Sequence, residues 1–496
     1  MVATQNSILK NSLYKGALNI FNFIMPLITI PYIYRILSPT SVGDFEYATT
    51  FYSYFNTLGV LGIYTYGMRE ASRNRDNAIT INKIYTNLFS IGIFSNTFAC
   101  IILFLFTLGC FRTENTLFIL FSLYSISILS NIFYTEWINE AFEDFKFIAI
   151  KTGIIRILYV ISIFCFITKP EDIWIYVLLI CISNLLNYIS SFIYARKYTK
   201  FNIKDITLNK NIFKQYLPPL FFILLLNNSS IFYTALDRMM LGSLTNTESV
   251  AYYSVGQRIM EMVRSLLITF TYVSLPRLSY YLGNDINKYK DGLYKLCHIV
   301  LLVAIPMSFG LALLSKDIVR IFAGDQYDMA IIPLIIFSFK IITLMIENLT
   351  SQQILFLHRK EKLVAFINIS WGIGNLILNY LLYLAGIFTP ITAILSTMFI
   401  ELLVLCTEFI YIKKHYNLLL PVFSSNSVKY LFSALLFIPI CLIIDNNINY
   451  PYLATLLKII ICTISYPTCL FIMNDTIFRE YAYRILNSGT IKKRKQ

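Results

Sequence analysis

The chain has 496 residues, is 57% hydrophobic and 16% aromatic, and carries a formal net charge of +14; its mean hydropathy is +0.64. Soluble domains run at about 45–50% apolar residues, so this composition excludes an ordinary water-soluble fold. The basic residues sit between apolar segments, which reads as the loops of a membrane protein and not as a nucleic-acid surface.

A membrane-crossing helix needs about 20 consecutive, mostly apolar residues. The sequence predicts fourteen of them, at 10–37, 44–66, 82–109, 115–139, 148–168, 172–195, 213–241, 248–276, 292–314, 328–356, 362–385, 389–412, 428–445 and 452–474. The fold class expected is therefore all-α and polytopic, with no room for a soluble catalytic domain. The first segment is long and lacks a small-residue cleavage pattern, so it reads as a retained helix. The 9 Cys are scattered through apolar stretches without a C-x-x-C pair, which suggests neither a zinc site nor a disulfide framework.

Charge alternation sets the orientation. With the N-terminus in the cytoplasm, 30 of the 41 Lys and Arg fall on the inside, including Lys146, Lys151 and the run from Arg196 to Lys214. Only Arg112, Lys169, Lys316 and Arg320 fall outside, and seven lie within helices. Both termini are then cytoplasmic.

A weak repeat relates the first and seventh helices. Leu37-Ser38-Pro39-Thr40-Ser41-Val42-Gly43-Asp44-Phe45 and Leu244-Thr245-Asn246-Thr247-Glu248-Ser249-Val250-Ala251-Tyr252 each follow an arginine, Arg35 or Arg238. Six helices separate the copies, so both halves start from the same side, as in parallel repeats. The expected layout is two pseudo-symmetric six-helix lobes, 1–195 and 213–412, a cytoplasmic linker at 196–212, and a 413–496 appendage of two further helices and a basic tail.

Polar residues at steps of three and four share a helix face. The first helix carries Lys15, Asn19, Asn22, Pro26 and Thr29; the seventh carries Asn227, Ser230, Thr234 and Asp237. The eighth carries Ser254, Arg258, Glu261 and Ser265 beside Arg264; the tenth Lys340, Thr343, Glu347 and Thr350; the eleventh Asn368, Gly372, Asn375 and Asn379. Each stripe serves either interhelical hydrogen bonding or a shared wet cavity. An Arg, Lys or Asp at mid-membrane costs about 2.5–3.5 kcal/mol on insertion scales, so these charges face inward. Arg258, Glu261 and Arg264 are spaced so that Glu261 can pair with either arginine, whereas Lys340 and Glu347 lie roughly 10 Å apart along the helix. Arg35 and Arg156 have no partner on their own helices and either snorkel or meet residues elsewhere. A cationic lumen suits an anionic group such as a pyrophosphate, which the planar arginine fork binds through two oxygens. Further acids, Glu136, Glu140, Glu401 and Glu408, lie in or near the membrane.

Signs of catalysis are absent. The three His are scattered, Trp371-Gly372-Ile373-Gly374-Asn375 sits mid-helix and is no nucleotide loop, and the longest outside loop, about 315–327, is short.

Ala235-Leu236-Asp237-Arg238-Met239-Met240-Leu241-Gly242, with Val250-Ala251-Tyr252-Tyr253-Ser254-Val255-Gly256-Gln257-Arg258-Ile259, resembles the signature of bacterial O-antigen and capsule repeat-unit flippases. So do Pro26-Leu27-Ile28-Thr29-Ile30-Pro31-Tyr32 through Arg35, Leu37 and Gly43, and Tyr66-Gly67-Met68-Arg69-Glu70. These flippases form the polysaccharide branch of the multidrug/oligosaccharidyl-lipid/polysaccharide exporter superfamily, and the similarity covers about 10–410. It departs from the usual motif at Ala251, where Gly is common, and at Pro39-Thr40-Ser41, where Gly-Pro-Glu is common. The resemblance implies two lobes around a V-shaped cationic cavity that opens alternately to each side of the bacterial inner membrane. The implied substrate is an undecaprenyl-pyrophosphate-linked oligosaccharide moved from the cytoplasmic to the outer leaflet, its lipid tail passing between the first and eighth helices. Coupling to an H+ or Na+ gradient, and work beside a polymerase and glycosyltransferases, are implied as well; no cofactor is.

The residues expected at the substrate are Arg35, Arg238, Arg258, Arg264, Lys340, Asn19, Asn22 and Asn375, and those expected at the coupling ion are Asp237, Glu261 and Glu347. The alternatives are a cation-coupled multidrug or metabolite exporter of the same fold, for which an acid-dominated lumen would argue, and a membrane-embedded polymerase, which needs catalytic residues in external loops.

Overall fold

The structure is a computed structural model and describes residues 5–200, 210–228, 235–480 and 483; side chains at 5–13, 15, 17, 19, 210 and 226–228 lie outside the description. Two compact units divide the chain, Met1–Ala251 and Tyr252–Gln496.

The first unit opens with α1 (Gln5–Ile36), which contains Pro26 and Pro31. Ser38 then caps α2 (Pro39–Val60), its side chain accepting from the Ser41 amide with Pro39 at the first helical position, the arrangement that a helix start favours. The predicted second helix, 44–66, is in fact two. Leu61 and Gly62 both take positive φ, 49° and 70°, and the Leu61 amide closes α2 on the Thr57 carbonyl. The chain restarts as α3 (Ile63–Arg73). Next come α4 (Ala78–Cys110) and α5 (Asn115–Ser130). The predicted 115–139 helix breaks there, passing through one tight turn, Asn131–Phe133, into α6 (Glu136–Ala141). Helices α7 (Phe145–Phe166) and α8 (Ile173–Ala195) follow.

Over the seventh predicted helix, 213–241, the described residues form α9 (Lys210–Asn228) and α10 (Leu236–Leu244). Ser230 and Thr234 of its polar stripe, and 201–209 of the expected linker, lie outside the described residues. Within the unit α2 packs on α4 and α5, α1 on α7, and α7 on α8; α9 touches α2, α3 and α4, and α10 rests on α2.

The second unit runs from within α11 (Thr247–Asn284) into α12 (Ile286–Leu313). Asp285 caps α12 by accepting the Asn287 and Lys288 amides, both at 3.1 Å; the Lys288 amide, then its ammonium, holds this carboxyl below the usual carboxylate range. The short α13 (Ser315–Phe322) leads to α14 (Ile331–Asn348), whose last turns loosen into a π-helix at Leu349–Phe356. Then come α15 (Glu361–Leu384), α16 (Pro390–Tyr416), α17 (Ser425–Leu435), α18 (Phe437–Asn447) and α19 (Pro451–Ile472). Helix α12 packs on α14 and α17, and α16 packs on both α14 and α15.

Ten helical stretches among the described residues are long and apolar enough to cross a membrane. In the most apolar window of α7, α8 and α19 only 22% is buried, so their apolar surface faces outward, as lipid-exposed helices require. The four predicted spans that fall short are the first, second, seventh and eighth. The second is divided at Leu61-Gly62, and the eighth carries the charged run Arg258–Arg264.

Candidate functional site

In the first unit the sequence signature around Arg238 turns out to be a docking element. Arg238 donates through Nη1 to Glu46 Oε2 at 2.9 Å, and Glu46 is fully buried in α2. Tyr34 donates its hydroxyl to the other oxygen at 3.4 Å. Alongside, the Tyr47 and Ser243 hydroxyls lie 2.8 Å apart. The approach is close enough to demand glycine twice. A Cβ on Gly242 would stand 2.2 Å from the Tyr47 ring, and one on Gly43 would stand 1.8 Å from the Thr247 carbonyl oxygen. Arg238 was expected at the substrate; its Nη1 is committed to Glu46, while its buried Nε faces no acceptor. Asp237 is fully buried next to it. Sequence reasoning missed Glu46, although a lone acid within an apolar segment was the available signal.

A second buried pair lies between α6 and α7. Lys151 donates to Glu136, to the Ser191 hydroxyl at 2.6 Å and to the Asn187 carbonyl at 3.3 Å. Its side chain is only 5% exposed, so Lys151 is a buried ion-pair partner and not the loop cation expected from charge alternation. Arg156, on the same helix, has a buried Nε without an acceptor. The first unit also stacks tyrosines: Tyr52 on Tyr124 at 4.5 Å and Tyr64 on Tyr134 at 5.3 Å. Asn131 bridges Asn56 at 2.7 Å and Asn96 at 3.3 Å, beside a small cavity of about 20 Å³, room for one water.

In the second unit Arg264 takes Glu261 at 2.9 Å, one of the two pairings that the spacing permits. Arg258, also on α11, is half-buried. Lys340 is buried in α14 and pairs with Glu401 of α16 at 3.0 Å. Glu347, two turns further along α14, is half-buried, and its charge meets those of Glu401 and Arg264. The asparagine stripe of α15 faces α16: Asn375 donates to the Thr397 hydroxyl at 3.2 Å, and Ser396 donates to Asn379. Asn375 thus sits in a helix–helix interface. A fifth ionic group, Lys458, bridges Asp317 at 3.0 Å and Asp445 at 2.6 Å.

Of the remaining expected residues, Arg35 and Asn22 are exposed, and the Asn19 side chain lies outside the described residues. Among the described residues no group of three or more His, Cys, Asp or Glu is gathered to hold a metal ion. A cleft of about 400 Å³ between the end of α11 and the start of α12 is lined by Arg277, Lys288, Asp291, Lys295 and Glu480.

Residues 8–282 match the model of a family described as polysaccharide biosynthesis protein. The chain belongs to that family. It is 24% identical over 422 residues to the "Putative O-antigen transporter" of Escherichia coli strain K12, covering 82% of this chain and 97% of that one. It is 26% identical over 383 residues to the protein of the same name from Shigella dysenteriae, covering 76% and 93%. Its fold is that of the lipid II flippase MurJ in an inward closed conformation, with a TM-score of 0.70 and 16% identity over 96% of this chain and 99% of that one. An inward-facing multidrug resistance transporter of the MATE family matches more loosely, with a TM-score of 0.58 and 12% identity over 79% and 94%. The polysaccharide branch that the motifs resemble is thus the branch found, and the chain is a multi-pass, all-helical membrane protein.

Proposed function

We propose that this protein is a flippase that moves an undecaprenyl-pyrophosphate-linked oligosaccharide repeat unit from the cytoplasmic to the outer leaflet of a bacterial inner membrane. The observation that carries this reading is the family match across 8–282 together with relatives named for O-antigen transport over nearly their full length. The work is transport and not catalysis. The chain crosses the membrane fourteen times with both termini cytoplasmic; among the described residues ten helical stretches are long and apolar enough to do so. Two pseudo-symmetric six-helix lobes open alternately, followed by two extra helices.

The oligosaccharide needs a polar route and the pyrophosphate needs cations. Arg258 is our leading pyrophosphate ligand, half-buried on α11, with Arg35 and the free Nε of Arg238 as further contacts. Arg264 and Lys340 are held by acids and act through the field of their ion pairs; Asn19, Asn22 and Asn375 are the candidate sugar ligands. Transport is coupled to a cation, with Asp237, Glu261 and Glu347 as the acids in question, and a polymerase and glycosyltransferases work beside it.

The test is translocation in proteoliposomes loaded with undecaprenyl-pyrophosphate oligosaccharide on one leaflet. Wild-type protein should move the lipid, and Arg258→Ala should slow it at least tenfold. No movement, together with export of small cationic dyes, selects the multidrug-exporter reading, which the looser MATE-like fold match favours.

A further inference from the structure

Helices α11 and α12 form a hairpin that turns at Asp285, whose amide donates to the Tyr281 carbonyl at 2.7 Å and whose side chain caps α12. The cleft of about 400 Å³ lies between the two arms, and Glu480, beyond α19, adds to its lining. Pockets for small ligands run at about 300–1,000 Å³. The floor is apolar, with Leu278 and Leu296 buried in it. Gly292 lies on the same floor, where a Cβ would stand 3.0 Å from Leu278, so the missing side chain lets the two arms approach.

The rim carries charge of both signs. Arg277 donates through Nε to the Tyr281 hydroxyl at 3.0 Å, with its guanidinium carbon 5.4 Å from the centre of that ring. Tyr281 thus steadies the side chain, and both Nη groups are left without an acceptor among the described residues. Asp291 and Lys295 stand four residues apart on α12, the spacing at which a helix pair closes, yet neither enters an ion pair among the described residues. Lys288, nearer the turn, is taken by Asp285 at 3.0 Å. The cleft therefore offers two cations, Arg277 and Lys295, beside two acids, Asp291 and half-buried Glu480. A purely anionic ligand would be repelled by those carboxylates, whereas a ligand of both signs finds a partner for each.

Arg277 also ends an apolar stripe. Leu266, Phe270, Val273 and Arg277 follow one another at steps of four, three and four, which keeps them on one face of α11. The three apolar members are exposed, Val273 by 76%. Arg264, two residues before Leu266, points about 200° away round the helix, so the stripe looks away from the charged run. Such a surface is suited to acyl chains, and it leads up to a guanidinium. Chain, then phosphate, then headgroup is the order of parts in a phospholipid.

We propose that this cleft binds the headgroup of a membrane phospholipid whose phosphate carries a primary amine, a phosphoethanolamine group. The Nη groups of Arg277 and the Lys295 ammonium take the phosphate oxygens. Asp291 and Glu480 take the amine, and an acyl chain lies along Leu266, Phe270 and Val273. The bound lipid ties α11 to α12 at the membrane surface. It is not the transported lipid, because a pyrophosphate has no cation to offer the two acids. The site draws on the cytoplasmic leaflet if both termini are cytoplasmic, as proposed above; nothing else in it rests on the flippase reading.

The experiment is native mass spectrometry of the purified, delipidated protein, titrated separately with phosphatidylethanolamine, phosphatidylglycerol and phosphatidylcholine of matched chains. Phosphatidylglycerol keeps the phosphate without the amine, and phosphatidylcholine keeps the positive charge without its N–H donors. Wild type should bind phosphatidylethanolamine more tightly than either by about fivefold, the scale of one partly exposed ion pair. Arg277→Gln/Lys295→Gln should weaken phosphatidylethanolamine binding by a similar factor, and Asp291→Asn/Glu480→Gln should turn the preference to phosphatidylglycerol. Arg277, Lys295 and Asp291 are exposed and Glu480 is half-buried, so neither variant disturbs the core. Equal binding of the three lipids by wild type, or a preference unchanged in both variants, overturns the proposal. Displacement of phosphatidylethanolamine by an equal amount of undecaprenyl pyrophosphate also overturns it and gives the cleft to the substrate. If binding is selective as expected while no lipid-linked oligosaccharide moves in proteoliposomes, the site stands and the flippase reading fails.

Discussion

Replacing Arg238 by Met separates two roles for this arginine. Its attraction to Glu46 at 2.9 Å is about 6 kcal/mol at an effective dielectric constant of about 20. Desolvation of both ions offsets much of that when the pair forms, but removing one partner strands the other. Glu46 is fully buried and the Arg238 side chain is 19% exposed, so Arg238→Met leaves a bare carboxylate in the core and should cost about 3–5 kcal/mol. Glu46→Gln costs less, about 1–3 kcal/mol, because the amide oxygen still accepts from Arg238 while the amide NH2 takes the place beside the Tyr34 hydroxyl and donates to it. In the double variant no charge is stranded, and the loss should fall well short of the sum. The assay is thermal unfolding of the detergent-solubilised protein followed by size exclusion, with the four proteins compared as a cycle. Additive losses would refute the claim that this pair is a clamp between α2 and α10. The double variant also tests the role of Arg238 at the substrate: if it is stable and still translocates lipid at the wild-type rate, Arg238 is a structural residue only.

Gly242→Ala places a methyl 2.2 Å from the Tyr47 ring and should destabilise by about 1–3 kcal/mol; Tyr47→Leu in the same chain should recover most of the loss in the same unfolding assay, and no recovery would count against the contact. Lys458→Met leaves Asp317 and Asp445 facing each other without their shared cation. Limited proteolysis should then cut between α16 and α19 sooner than in wild type, and unchanged cutting would show that the bridge does not anchor the last helices. Lys151→Met strands Glu136 beside Ser191 and should lower the thermal midpoint, with Lys151→Met/Glu136→Gln recovering it; a surface lysine would give no change in either protein.

The amino-acid sequence by itself determined that this is an all-helical membrane protein, where most of its helices lie, and which family it belongs to. Runs of apolar residues and the motif around Asp237-Arg238 are local in the chain, and the bilayer admits few alternatives to a helix. Breaks within helices were less legible. Leu61-Gly62 interrupts an apolar run that contains no proline, and the left-handed backbone there follows from how the chain turns between α2 and α3. Ion-pair partners on different helices were decided only by the tertiary structure. Glu261 with Arg264 was readable because three residues on one helix are neighbours. Glu46 with Arg238 joins positions 192 apart, and Lys340 with Glu401 joins two helices with another between them in the chain. Helical periodicity names the face on which a charge sits; it carries no information about which other helix presents the opposite charge at the same depth. Packing sets that choice, and it gives Arg238, Arg264, Lys340 and Asn375, all expected at the substrate, partners within the protein.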